Sequence, residues 1–90
     1  MTEQEIISMT NQVFEQSFEI EKESLQPQMN IFSDLGLDSL DIVDLVVALQ
    51  KKFGVGIRDD ERVRNIRTLG DVYRFILALM NEGEFETIPD

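Results

Sequence analysis

Apolar residues recur at helical spacing in three separate stretches of this chain. Across residues 2–17, Ile6, Ile7, Val13 and Phe14 stand among Glu, Gln and Asn, the pattern of an amphipathic helix. Thr2, with Glu5 three residues on, reads as a capping box at its start. A second run, Leu40, Ile42, Val43, Leu45, Val46, Val47, Leu49 and Phe53, predicts a helix from Asp38 or Ser39 to about Phe53, stopped by Gly54 and Gly56. Its apolar residues cover most of the circumference, which predicts the most buried helix of the chain. The third run, "TLGDVYRFILALMNEG", has Thr68 as N-cap and Asp71 at the box position. Its inner stripe is Leu69, Val72, Tyr73, Ile76 and Leu79 or Met80, with the Tyr73 hydroxyl reaching the surface.

The intervening segments lack that phase. In "SFEIEKESLQPQMNIFSD", Phe18, Ile20, Leu25, Met29, Ile31 and Phe32 follow no helical order, and Pro27 blocks a continuous helix. A long loop pinned to the core by apolar anchors is expected. "RDDERVRN" predicts a short third helix with Val63 inward, and residues 83–90 a frayed tail. The expected fold is all-α: a four-helix bundle with three main helices, one short third helix and a long loop between helices one and two. It forms a single domain over 1–90 with its core at about 3–80.

Composition narrows the chemistry. Ninety residues with 42 % apolar content and six Phe can bury one modest core, but not a large enclosed active site. With no Cys and no His, a thiol nucleophile, a Ser–His pair and a zinc finger are excluded. The net charge of −10 repels nucleic-acid phosphates and anionic membranes and steers basic protein surfaces toward the chain. The start has no basic leader, and the run Ile42–Leu49 is interrupted by Asp44 and too short to span a bilayer. A soluble, cytoplasmic monomer that binds no nucleic acid and inserts in no membrane is expected. The spacing Asp34-Leu35-Gly36-Leu37 fails the alternate-ligand rule of a calcium loop, so no metal site is expected. Paired carboxylates acting as acid and base would need an apolar cleft, which a bundle with its acids at helix starts does not offer.

Two features of the second helix remain. Asp38 or Ser39 ahead of an apolar run, with Asp41 following, is how an ordinary helix N-terminus looks, and local chemistry alone gives Ser39 that role. Leu40 and Val47 lie two turns apart on one face with Asp44 between them. Since one helix of a small bundle rarely needs apolar side chains all round, this strip is expected to be exposed, rimmed by acids like a docking surface.

Asp34-Leu35-Gly36-Leu37-Asp38-Ser39-Leu40-Asp41 resembles the phosphopantetheine attachment motif of acyl carrier proteins, and the order of elements over residues 3–80 is similar to that family's. The resemblance implies that Ser39, flanked by Asp38 and Leu40, carries 4′-phosphopantetheine, transferred from coenzyme A by a phosphopantetheinyl transferase. The chain would then be no enzyme but a carrier of acyl thioesters in fatty-acid or specialised lipid or polyketide-type biosynthesis. Acyl-transfer, ketosynthase or acyl-activating enzymes would set basic patches on Asp38, Leu40, Asp41, Asp44 and Val47. Gly36 would let the loop turn so that the hydroxyl points out, and the phosphodiester would sit against free backbone N–H groups at the positive helix end. Helix faces place Phe32, Ile42, Val43, Val46 and Ile66 around an acyl-chain pocket. Three features depart from the fatty-acid-synthesis pattern: Gln50, Lys51 and Lys52 where acids are usual, Ile57-Arg58 in place of Ile-Pro, and the cluster Arg58, Arg62, Arg64 and Arg67. They leave housekeeping and specialised carriers both open, while the absence of a Gly-His lead-in speaks against a nonribosomal-peptide carrier. The alternative of another class is an unmodified acidic adaptor binding a basic protein through Leu40, Asp44 and Val47.

Overall fold

The computed structural model describes residues 2–57 and 61–87, with side chains described through residue 82. Three α-helices, α1 (Glu3–Phe18), α2 (Ser39–Phe53) and α3 (Leu69–Thr87), are joined through two short 3-10 helices, Lys22–Ser24 and Glu61–Asn65. The all-α reading holds, and the short third helix is a 3-10 helix of five residues with Val63 half-buried. Such tight coils are stable only in short pieces, because their hydrogen bonds are poorly aligned. Arg58, at the head of that segment, lies outside the described residues. The helix α3 continues to Thr87, past the start of the tail expected to fray from residue 83, and 88–90 lie outside the described residues. No helix among the described residues is long and apolar enough to cross a membrane.

Each α-helix starts on a reciprocal cap. Thr2 Oγ1 accepts the Glu5 N–H at 3.2 Å while the Glu5 carboxylate accepts the Thr2 N–H at 2.9 Å. Thr68 and Asp71 repeat the arrangement at α3, at 3.1 and 3.0 Å. Below its cap, α1 buries Ile6, Thr10, Val13 and Phe14 on one stripe and packs against both other helices. The most buried helix is α3, not α2: it encloses Leu69, Val72, Tyr73, Phe75, Ile76 and Leu79. On α2 only Leu45, Leu49 and Phe53 are buried. A helix packed on one side has one face to hide: Ile42, Val46 and Ala48 flank that face half-buried, and Leu40, Val43 and Val47 stand outside it. Tyr73 is buried as expected, but its hydroxyl donates to Asn11 Oδ1 on α1, and burial pushes the phenol's pKa up.

The long loop is pinned by its side chains and by its backbone. Leu25, Ile31 and Leu37 are buried, and Phe18, Ile20, Phe32 and Leu35 pack against the same core. Ile31 N–H donates to Arg67 O at 2.9 Å, Leu69 N–H to Met29 O at 2.9 Å, and Gly70 N–H to Pro27 O at 2.8 Å. The loop carbonyls therefore satisfy N–H groups in the first turn of α3 that no intrahelical acceptor reaches. Gly70 permits the approach: a Cβ there would lie 3.1 Å from Pro27 O.

Candidate functional site

The site begins where the loop winds up before α2. Asn30 Oδ1 accepts the N–H groups of Phe32 and Ser33 at 2.8 and 2.9 Å, and Asp34 Oδ2 accepts the Asn30 N–H at 2.7 Å. This closes residues 30–34 into a turn. Gly36 then takes φ of +79°, a left-handed conformation that a Cβ resists, and reverses the chain. Leu37 follows into the core, its N–H bonded to Ile31 O at 3.0 Å. With Leu37 fixed inward, the extended residue Asp38 stands outside at the head of α2.

Asp38 is the cap and Ser39 the first helical residue. Asp38 Oδ1 accepts the N–H groups of Leu40 and Asp41 at 2.9 and 3.0 Å, and Asp41 Oδ2 accepts the Asp38 N–H at 3.0 Å. Ser39 is exposed, and its hydroxyl makes no hydrogen bond among the described residues. Of the backbone donors at this helix end, the N–H groups of Leu40 and Asp41 are taken by Asp38, while the Ser39 N–H has no partner among the described residues. An anionic group on Ser39 would meet the carboxylates of Asp38 and Asp41 beside the positive end of the helix.

Along α2 the exposed face carries Leu40 at 76 %, Val43 at 61 % and Val47 at 43 % exposure. At about 100° per residue these three share one side with Asp44. Leu40 and Val47 thus lie on the open strip expected of them. Val43 is a correction: placed in the acyl-pocket lining from helix faces, it stands outward about 60° from Leu40. Of the other four lining candidates, Ile66 is buried, and Phe32, Ile42 and Val46 are half-buried against the same core. Asp38 and Asp44 are exposed and Asp41 half-buried, and none of the three forms an ion pair among the described residues.

Two members of the basic cluster, Arg62 and Arg67, bond into the fold, while Arg64 is exposed. Arg62 grips Glu82 through two hydrogen bonds of 2.7 and 3.0 Å and lies 5.4 Å over the Phe75 ring. Arg67 donates to the carbonyls of Arg64 and Ile66 at 2.8 and 2.9 Å. Arg74 pairs with Asp71, whose carboxyl is held below the ordinary range chiefly by the Thr68 backbone N–H. Between these residues lies an open groove of about 230 Å³ floored by Ile66, Phe75 and Ala78. Burial of Phe75 was missed in the sequence because it lies beside the regular stripe of α3; its spacing of three from Val72 was the available signal.

A family model described as phosphopantetheine attachment site matches residues 11–76, which includes the turn, the capped helix start and the strip. Such a domain is a carrier built to hold a phosphopantetheine arm. Among curated proteins, acyl carrier protein 2 of Ralstonia nicotianae is 36 % identical over 80 residues, covering 89 % of this chain and 98 % of its own. The acyl carrier protein of Lactobacillus acidophilus is 36 % identical over 76 residues, 84 % of this chain and 94 % of its own. That of Acidothermus cellulolyticus is 37 % identical over 76 residues, 84 % and 89 % respectively. The chain belongs to the acyl carrier protein family.

It is accordingly a carrier and not an enzyme, its prosthetic group is 4′-phosphopantetheine, and a phosphopantetheinyl transferase and acyl-handling enzymes are its kinds of partner. The start of α2 fits such a group. A substituent on the exposed Ser39 oxygen breaks no capping bond, since every bond of the cap belongs to Asp38 and Asp41.

Proposed function

We propose that Ser39 is the attachment point and that the chain carries acyl intermediates of fatty-acid or specialised lipid or polyketide-type biosynthesis. The observation that carries this reading is the exposed, unbonded hydroxyl one residue past a helix cap that is complete without it. When bound, the prosthetic group supplies the thiol that this cysteine-free chain lacks. Ser39 holds the arm, and Gly36 and Leu37 fix the direction in which that oxygen faces. The base that takes the Ser39 proton during loading comes from the transferase, because the chain has no His and no carboxylate bonded to this hydroxyl.

Docking falls to the strip beside it. Leu40, Val43 and Val47 supply the apolar contact, while Asp38, Asp41 and Asp44 attract basic patches and set encounter rate and register. Ile42 and Val46, one turn apart on the inner edge of α2, shelter an acyl chain together with Phe32 and Ile66. Exposed Lys51 where fatty-acid-synthesis carriers are usually acidic favours a specialised member.

Incubation of the apo protein with coenzyme A and a phosphopantetheinyl transferase, followed by intact mass measurement, tests the assignment. One adduct is expected on the wild type and none on Ser39→Ala. An unmodified wild type, or an adduct that survives Ser39→Ala, returns the strip to the adaptor reading.

A further inference from the structure

The three polar residues near the end of α2 part company in the structure. Gln50 turns to the following loop, where its Oε1 accepts the Ile57 N–H at 2.8 Å. Lys52 is half-buried, about 100° round the helix from its neighbour. Lys51 alone is exposed on the outer face, about 20° from Leu40, and so extends the strip of Leu40, Val43, Asp44 and Val47. The strip therefore changes sign along its length, from the carboxylates near Ser39, through three apolar side chains, to an ammonium. At 1.5 Å per residue, Lys51 stands about 10 Å beyond Asp44 and about 18 Å beyond Ser39. Neither Asp44 nor Lys51 forms an ion pair among the described residues. Their separation is about one screening length at 0.1 M salt, so a docking protein senses the two charges separately.

Resting on the docking role proposed for this strip, we infer that the acyl-handling enzyme served by this chain has a bipolar docking face. Cationic groups lie opposite Asp38, Asp41 and Asp44 near the mouth of its active site, and a carboxylate lies opposite Lys51. Lys51 is then a specificity determinant: it favours that carboxylate and opposes a docking face that is basic from end to end. An exposed charge pair changes binding by about 1.5- to 5-fold, small in affinity but enough to rank competing partners.

The test uses the acylated holo protein as substrate for a purified fatty-acid-synthesis ketosynthase whose docking face is basic throughout. A variant of that ketosynthase, with the basic residue farthest from the active-site mouth changed to Glu, is measured beside it. With the all-basic enzyme, Lys51→Glu is expected to raise kcat/KM about fivefold and Lys51→Gln about twofold, both through KM. The ketosynthase variant is expected to reverse that order, preferring wild type over Lys51→Glu, while Asp44→Lys lowers kcat/KM with both enzymes. Thermal melts establish that each carrier variant is folded. Indifference of both enzymes to Lys51, with Asp44→Lys still harmful, overturns the bipolar face and leaves the docking role standing. Indifference to Asp44→Lys as well overturns both.

Discussion

Asp38 and Ser39 are adjacent, both exposed and both chemically able to cap a helix, yet the structure divides the labour between them. Asp38→Ala removes the acceptor of the Leu40 and Asp41 N–H groups and leaves only the reciprocal bond, which the residue-38 backbone N–H donates to the Asp41 carboxylate. Loss of an N-cap of this kind costs about 1 kcal/mol, within a usual range of about 0.5–2. For a domain of this size that lowers Tm by about 4–8 °C. One term works the other way, because the variant relieves repulsion among Asp34, Asp38, Asp41 and Asp44. That repulsion is screened beyond about 3 Å in 1 M salt, so the full cost emerges there. Asp38→Asn keeps the acceptor oxygen and should lose only a few tenths of a kcal/mol, about the smallest effect such caps show. Ser39→Ala removes no bond and places a better helix former in the first turn, so Tm stays level or rises slightly. Circular-dichroism melts at low and high salt, paired with mass measurement after loading, separate the two residues. Asp38→Ala is expected to melt early yet accept the prosthetic group, and Ser39→Ala to melt normally and accept nothing. If Ser39→Ala melted as early as Asp38→Ala, Ser39 would be the cap, and the reasoning about a free hydroxyl would fail.

Gly36→Ala meets no atom within 4 Å, so its cost is that of holding Ala at φ of +79°, about 1–2 kcal/mol in chemical denaturation; an unchanged midpoint would mean that this turn relaxes freely. Thr10 is fully buried with its hydroxyl unpartnered among the described residues, and Thr10→Val should raise stability by about 1 kcal/mol by removing that oxygen at nearly constant shape. A loss of stability there would show that the hydroxyl has a partner in solution. The Asp71 carboxyl is held below its ordinary pKa, mainly by the Thr68 N–H; burial opposes this, and the Arg67 N–H and the Arg74 side chain add to the lowering. The bonds therefore stabilise the fold above the ordinary carboxylate pKa of about 3.9 and are lost as pH falls through the lower folded value. Asp71→Asn should melt earlier than wild type at pH 7 and converge with it in acid; parallel curves down to the lowest pH would refute the assignment.

What the sequence determined by itself is what short-range chemistry determines. The caps at Thr2 and Thr68 are legible because donor, acceptor and partner carboxylate all lie within three residues, whereas at α2 the sequence narrowed the start to Asp38 or Ser39 and the structure chose Asp38 as the cap. The turn at Gly36 and the place of Ser39 at the helix start are legible for the same reason, and the exposed Leu40 and Val47 followed from a helix with more apolar sides than a small bundle can cover. Tertiary structure decided the rest. Which apolar residues of α2 face outward depends on where α1 lies, so the outward Val43 could not be read from a helix that is apolar nearly all round. The stitching of Pro27, Met29 and Ile31 to residues 67–70 joins segments nearly forty positions apart, and no local pattern announces it. Arg62 finds Glu82 twenty residues away, which ties one member of the arginine cluster into the scaffold. The same rule separates Gln50, Lys51 and Lys52: their chemistry is written in the sequence, but only the packed helix assigns one to a loop, one to an inner edge and one to the exposed face.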